Sequence, residues 1–201
     1  MTFFFQAKNQ KYKSSFKNES INNITVSNLQ SCVRLNDFDL VGDGTHCCSF
    51  TMMGLFSFRH WSINQTIDFW LDFLENRLNL NIEYVTIHPN KLEWEKYYST
   101  KKIIIDPNCE WTDGEIGGYC TEFYINNIEI GNIVNPLNTC IDVGFGLERI
   151  DRIINNIPVL SRLDEMILTY HKLIKSGIVP DKNKHGYILR KIIREIIILN
   201  G

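Results

Sequence analysis

Alternating apolar and polar positions predict two neighbouring strands in the first third of the chain. One runs over residues 26–35, and the other, rich in Phe and Met, runs over residues 47–58. The stretch between them is polar and contains Gly42 and Gly44, which favours a turn. Strand, polar loop and returning strand predict an antiparallel hairpin.

Apolar positions three and four residues apart predict helices farther along the chain. Ile63, Ile67, Trp70, Leu74 and Leu78 form one apolar stripe at this spacing, which is typical of an amphipathic helix. Further helices are predicted at residues 91–98, 149–154, 163–175 and 187–199.

The remaining apolar runs are short and predict strands. They cover residues 82–87, 102–105, 120–125 and 128–134, with Asn126 and Asn127 as the turn between the last two. The polar segment containing Ser14, Ser15 and Ser20 is predicted as a loop before the first hairpin. An antiparallel sheet with helices gathered to one side and at the end predicts the α+β class.

Composition narrows the class of protein. The chain has 201 residues, is 44% hydrophobic and carries a net charge of -2, which predicts one compact domain and no general attraction to nucleic acid. Its six cysteines include no C-x-x-C pair, so neither a disulfide framework nor a metal site is predicted. No apolar run approaches membrane-spanning length or a signal peptide. The expectation is a cytoplasmic protein with reduced thiols and no membrane partner.

The segment IDVGFGLERI at residues 141–150 contains the most informative group of candidate binding residues. It is a strand end followed by a helix start, with Asp142, Gly144, Gly146 and Arg149 at the junction. Glycines allow a ligand to approach the backbone closely, an arginine offers a charged fork to phosphate, and an aspartate can bind an ammonium group. The alternative is an ordinary junction in which Asp142 caps the helix and Glu148 and Arg149 are solvated.

Several collinear segments resemble the catalytic core of alanyl-tRNA synthetase, a class II aminoacyl-tRNA synthetase. Residues 3–16, with Ala7, Tyr12, Lys13 and Phe16, resemble the first family motif, and residues 141–150 resemble the third. The second motif is resembled by SCVR at 31–34, the loop at 36–42 and the returning strand at 46–58. Segments 117–122, 128–134, 177–180 and 186–194 resemble later parts of the core and the start of the helical region.

This resemblance implies that the chain activates alanine with ATP and Mg²⁺ and passes the acyl group to tRNA. Arg34 would clamp the substrate carboxylate and the α-phosphate, because a guanidinium offers two parallel donors. Arg149 would contact the γ-phosphate or the adenine, and Phe50 would stack on the other adenine face unless it is a core aromatic. His46, Glu129 and Gly146 complete the implied ATP site, and Glu129 and Glu148 are the carboxylates that could reach Mg²⁺.

The resemblance also implies a pocket for the amino acid. Asp142 would bind the substrate ammonium and Asn132 would bind the same substrate through its amide. Trp111 would roof a methyl-sized pocket, although it could equally be a core residue, and Gly144 would keep the pocket floor open. Such a pocket separates alanine from glycine poorly, since one methyl group contributes only about 1–3 kcal/mol.

Departures from the family pattern leave alternatives open. Thr45 stands where an arginine is common, Thr51 where a glutamate is common and Gly131 where a tryptophan is frequent; the second-motif loop is short, and no H-x-x-x-H editing motif occurs. The acceptor could therefore be a carrier protein or a biosynthetic intermediate instead of tRNA, or the chain could be a non-catalytic paralogue. Residues 1–157 are expected to form the core and 158–201 the start of a tRNA-binding-type region, where Arg190, Lys191 and Arg194 could contact phosphates. An unrelated nucleic-acid module is the weakest alternative.

Overall fold

The fold is known from a computed structural model that describes residues 2–4, 8–35, 38–98, 100–112 and 114–201. Ala7, Asn36 and Asp37 of the matched motifs lie outside the described residues, as does the Lys13 side chain. The strands are β1 (Thr2–Phe4), β2 (Ile24–Arg34), β3 (Ser49–Phe58), β4 (Tyr84–Ile87), β5 (Lys102–Ile105), β6 (Glu110–Thr112), β7 (Gly117–Ile125), β8 (Ile128–Val134) and β9 (Cys140–Gly146). The α-helices are α1 (Lys8–Lys17), α2 (Ile63–Leu71), α3 (Leu147–Asn155), α4 (Arg162–Lys175) and α5 (Lys184–Leu199).

The chain divides into two compact units. The sheet unit comprises residues 8–29 and 52–150, and the helical unit comprises residues 30–51 and 151–201 with the described part of 1–7. Within the sheet unit the strand order is β3-β9-β8-β7-β4-β5, with β6 paired to β7. All these pairs are antiparallel except β4 with β5, which is parallel. The predicted α+β class is confirmed.

Aromatic packing fixes one face of the sheet. Helix α2 begins with a capping box in which Ser62 and Gln65 satisfy each other's backbone N–H groups. The helix buries Ile67 and Trp70, and the Trp70 ring stacks on Phe145 of β9 with centroids 4.5 Å apart. Each such pair adds about 0.5–1.5 kcal/mol beyond area burial.

The Phe145 ring packs directly against the backbone of Gly131 on the neighbouring strand. A Cβ at residue 131 would lie 2.3 Å from the Phe145 ring. The position therefore has no room for a larger side chain, and the departure from the family pattern follows from the local packing.

The helical unit has its own apolar core. Helices α4 and α5 pack with the end of β2 and the segment after it, burying Val33, Phe38, Met166, Leu189 and Ile192. The predicted apolar face of the last helix is confirmed, since Ile188, Leu189 and Ile192 are buried in this core. No helix within the described ranges combines the length and apolar character needed to cross a bilayer.

Most predicted elements are confirmed within a few residues, including the first hairpin. The Arg34 N–H donates to the Cys48 carbonyl, and Thr25 Oγ1 lies 3.0 Å from Ser57 Oγ, so residues on β2 and β3 pair in opposite directions. Asn126 and Asn127 have φ of 53° and 60°, as a two-residue hairpin turn requires.

The loop predicted around Ser14 and Ser15 is wrong, because these residues lie in α1. Phe16 on this helix is buried against Phe56 and Phe58, with the Phe58 ring centroid 5.0 Å away. Burial of this aromatic side chain outweighs the weak helix propensity of serine.

Candidate functional site

The predicted site residues are divided between the two units. Arg34, His46 and Phe50 belong to the helical unit. The sheet unit carries the other seven, which are Trp111, Glu129, Asn132, Asp142, Gly144, Gly146 and Arg149. Each group has a defined geometry of its own.

One row of opposed residues crosses the sheet. Gly144 on β9 lies opposite Asn132 on β8, and Asn132 lies opposite Glu122 on β7. Thr86 on β4 lies opposite Glu122. Opposed residues share a face and alternate residues return to it, so Asp142 lies on the same face as this row. The sheet register thus brings Asn132, Asp142 and Gly144, the predicted substrate residues, onto one surface.

The same alternation adds the remaining strand residues of the group. Glu129 is opposite Tyr124, two residues after Glu122, and Trp111 is opposite Gly118 on β7. All predicted site residues borne by strands in the sheet unit therefore face one side. Sequence alone could not supply this result, because it depends on a register shift between Phe123 and Tyr124.

Asp142 is the most unusual group on this face. Among the residues that the structure describes, its carboxylate has no hydrogen-bond or ion-pair partner. Burial raises its pKa from 3.8 to about 7, because desolvation penalises the charged form. Such a carboxylate is stabilised in its charged form by a bound cation.

This pKa predicts a pH dependence of stability. A carboxyl group whose pKa is higher in the folded chain binds more protons there between pH 4 and 7, so the free energy of unfolding falls as pH rises through that window. One pKa unit corresponds to about 1.36 kcal/mol, and since the side chain keeps some solvent contact we expect a loss of about 2 kcal/mol between pH 5 and 8. Urea denaturation should show this loss in the parent chain and its absence in Asp142→Asn.

The matched control is Asp151→Asn, because Asp151 is exposed and, among the residues that the structure describes, its side chain bonds only to Asn155 one turn away. It should follow the parent curve. Parallel pH curves for the parent and Asp142→Asn would contradict the prediction.

Arg149 and Glu129 are brought together at the start of α3. Arg149 Nη1 donates to the Glu129 carbonyl at 2.5 Å and lies 3.8 Å from Glu129 Oε2. The arginine side chain retains 25% exposure, so its guanidinium can still meet a ligand. The pairing fixes the direction of the guanidinium and puts a carboxylate beside it.

Gly144 contacts the side chain of Met52 on β3. A Cβ at residue 144 would lie 2.9 Å from Met52 Sδ. The Met52 side chain therefore occupies the space directly above Gly144, and the place of Gly144 on a pocket floor stays a prediction.

Trp111 lines a cavity of about 300 Å³ on the sheet unit. Its side chain is 39% exposed, so it is not a core residue. The other lining residues are Glu110, Thr112, Gly117, Gly118, Tyr119, Asn135, Leu137 and Asn138. Asn132 and Asp142 are not among them, so the role of Trp111 above the substrate stays a prediction.

Hydrogen bonds hold the segment 43–46, which follows the second-motif loop in the helical unit. Asp43 accepts from the backbone N–H of Thr45 at 2.8 Å and of His46 at 2.9 Å, and its other oxygen is 2.7 Å from His46 Nδ1. Burial alone would raise the pKa of Asp43, but these hydrogen bonds lower it below its ordinary 3.8. Thr45, which stands where the resemblance leads us to expect an arginine, donates from Oγ1 to Asp43 at 2.9 Å and lies 3.2 Å from His46 Nδ1, so it helps to fix the position of His46.

Arg162 stabilises the second-motif loop at residues 36–42, and the sequence did not predict this contact. Its Nη1 donates to the carbonyls of Phe38 and Val41 at 2.7 and 3.2 Å, and its Nε donates to Glu195. Phe50 is half-buried on β3 and stacks on no other ring within the described ranges. Arg34 is exposed at the end of β2.

A buried polar cluster beside Glu122 was also missed. Glu122 Oε2 accepts from Thr86 Oγ1 at 3.0 Å and from the Tyr124 hydroxyl at 2.7 Å. Cys109 and Cys120 lie next to it with their Sγ atoms 3.3 Å apart. The matched segment at 117–122 contains Glu122 and was the available signal, but Cys109 is brought in by the fold alone.

Comparison with known proteins identifies the class. The family model described as "tRNA synthetases class II (A)" matches residues 2–110. The match covers more than half of the chain, and the chain belongs to this family of class II tRNA synthetases.

The curated relatives that match this chain share one more specific name within the family. The chain is similar to the alanine–tRNA ligase of Buchnera aphidicola subsp. Baizongia pistaciae, with 29% identity over 90% of this chain and 30% of the relative. It is also 26% identical to the alanine–tRNA ligases of Desulfitobacterium hafniense and Tropheryma whipplei, over 84% and 86% of this chain and 28% of each relative. The resemblance to the alanyl-tRNA synthetase catalytic core is confirmed. The chain spans less than a third of the length of these relatives.

Proposed function

We propose that this chain uses ATP to activate a small amino acid, with alanine as the best-fitting substrate, to an aminoacyl-adenylate and transfers the acyl group to tRNA. The observation that carries the proposal is Asp142, an unpaired, desolvated carboxylate on the same sheet face as Asn132 and Gly144. Family membership supplies the reaction class. The proposal includes the cytoplasmic location expected from the sequence.

The amino-acid residues act by orientation. The Asp142 carboxylate binds the substrate ammonium, and the Asn132 amide, which also has no hydrogen-bond partner in the described part of the chain, binds the same zwitterion. Fixing the ammonium directs the substrate carboxylate toward the α-phosphorus, which converts a bimolecular attack into a positioned one.

The nucleotide residues act by charge. Two anions must approach each other, so guanidinium groups from Arg34 and Arg149 neutralise and orient the phosphates, and Phe50 stacks on the adenine. Glu129 offers a hard oxygen donor of the kind Mg²⁺ prefers, beside Arg149. When bound, Mg²⁺ would neutralise further charge on the phosphates.

The acceptor is part of the proposal. The relatives are named for ligation to tRNA, and nothing in the comparisons supports a carrier protein. A non-catalytic paralogue remains the alternative suggested by Thr45 and Thr51.

ATP–pyrophosphate exchange tests the first step. Exchange should be measured with alanine, glycine and serine and should be fastest with alanine, with glycine within the factor that one methyl group permits. No exchange with any amino acid would overturn the proposal. Binding of ATP and alanine without exchange would favour the paralogue, and exchange without tRNA charging would favour another acceptor.

We also propose that residues 158–201 begin a tRNA-binding region. The buried face of α5 leaves Arg194 exposed on the other side, whereas Lys191 Nζ lies 4.0 Å from the Phe38 ring centroid. Arg194→Ala should lower tRNA charging and its salt dependence, because one phosphate contact is lost, and should leave pyrophosphate exchange unchanged. Measured charging against salt concentration checks this, with Lys182→Ala, an exposed residue before the helix, as the control.

A further inference from the structure

The cluster of Cys109, Cys120 and Glu122 forms a set of metal-ligand atoms outside the proposed substrate contacts. Cys109 precedes β6 and Cys120 lies on β7, and the Cys120 N–H donates to the Cys109 carbonyl at 3.0 Å. Both thiols are buried. Cys120 Sγ is 3.9 Å from Glu122 Oε1, and one ligand atom from each of the three residues lies within 4.8 Å of the others.

We propose that these three residues bind a divalent cation of the zinc class. In a tetrahedral zinc site with Zn–S of about 2.3 Å and Zn–O of about 2.0–2.2 Å, neighbouring ligand atoms are roughly 3.4–3.8 Å apart. The distances of 3.3 Å between the two sulfurs and 3.9 Å between the Cys120 sulfur and the carboxylate differ from these values by a few tenths of an ångström. The third pair, Cys109 with Glu122, lies within 4.8 Å, so a shift of about 1 Å or less closes the site.

The donor set selects the ion. Two thiolates and one carboxylate suit Zn²⁺ and exclude Mg²⁺ and Ca²⁺, which prefer oxygen ligands. Binding replaces the two S–H protons by two S–metal bonds and releases two protons, so the site with its carboxylate carries one negative charge. The fourth position lies beside Thr86, whose Oγ1 is 3.2 Å from Cys109 Sγ and 3.0 Å from Glu122 Oε2; this hydroxyl or a water fills it.

The ion has a structural consequence. It ties the chain just before β6 to the centre of the sheet, and Trp111 lies two residues after Cys109 on that strand. Glu122 is directly opposite Asn132. The ion would therefore fix both the strand that carries Trp111 and the residue next to Asn132.

Cobalt substitution tests the proposal. The reduced full chain should be titrated with Co²⁺, followed by competition with Zn²⁺. A single equivalent should give the sulfur-to-cobalt charge-transfer absorption and the visible bands of tetrahedral cobalt, and Zn²⁺ should abolish both. Binding should tighten as pH rises, because two protons leave.

Variants locate the site. Cys109→Ser and Cys120→Ser should each lose the charge-transfer band, and Glu122→Gln should weaken binding. Thr86→Val should weaken it by about 10–100-fold, as expected for a residue beside the ligands. Cys32→Ser, which changes a buried cysteine in the other unit, should bind like the parent chain.

Three outcomes would overturn the proposal. They are no band in the parent chain, a band that persists in both Cys109→Ser and Cys120→Ser, and formation of a Cys109–Cys120 disulfide without metal uptake under the titration conditions. Circular dichroism of each variant separates loss of ligands from loss of fold. If the serine variants do not fold, the Glu122→Gln titration decides between binding at this cluster and binding elsewhere.

Discussion

Replacing Asp142 with asparagine is expected to lower kcat/KM for alanine in pyrophosphate exchange by about 10²–10³-fold. The change removes the negative charge that meets the substrate ammonium, and loss of one partner of a desolvated charge pair costs about 2–5 kcal/mol. Asparagine has nearly the same shape, so the rest of the surface is retained. Steady-state exchange at varied alanine and varied ATP concentrations measures the effect.

Two further measurements distinguish loss of ammonium binding from general misfolding of the variant. KM for ATP should stay close to that of the parent chain, because Asp142 contacts only the amino acid in the proposal. The variant should also be more stable than the parent at pH 8, since the desolvated charge has been removed. Retention of exchange within about fivefold of the parent would mean that another group binds the ammonium. Asp151→Asn, which changes an exposed carboxylate on α3, should behave as the parent does.

Elements that rest on local pattern could be predicted from sequence. The β7–β8 hairpin follows from alternating apolar residues around Asn126 and Asn127, which adopt positive φ more readily than other residues. The long helices follow from apolar spacing. In each case the information lies within about ten neighbouring residues.

Elements that rest on distant contacts could not be predicted. Helix α1 contains Ser14 and Ser15 and depends on Phe16 packing against Phe56 and Phe58, forty residues away. Strand β6 has three residues and pairs only with β7 among the described strands, so no periodic pattern could reveal it.

The candidate site also combines features that the sequence predicts with features that only the fold determines. The residue types at Asp142, Asn132 and Gly144 came from motif resemblance, but their common face depends on sheet register. The unpaired state of Asp142 and the approach of Cys109 to Cys120 depend on which neighbours the fold supplies. A sequence shows which groups are available, whereas burial and register determine which of them are left to bind a ligand.

Arg152 provides the second large expected effect, on the stability of the helical unit. Its Nη2 donates to Glu165 Oε1 at 2.5 Å, and the two side chains are 17% and 3% exposed. Burial alone would lower the pKa of Arg152, but the hydrogen bond to Glu165 raises it above its ordinary value. Glu165 Oε2 has no hydrogen-bond partner in the described part of the chain, so Arg152 supplies most of the compensation for this buried charge.

Arg152→Met should therefore lower the free energy of unfolding by about 3–5 kcal/mol, because it leaves a buried carboxylate without its cation. Urea denaturation measures the loss. In the double variant Arg152→Met with Glu165→Gln the buried charge is also gone, and we expect more than half of the lost stability to return. If the double variant loses as much stability as the two single variants lose together, or more, the pair is not coupled in this way.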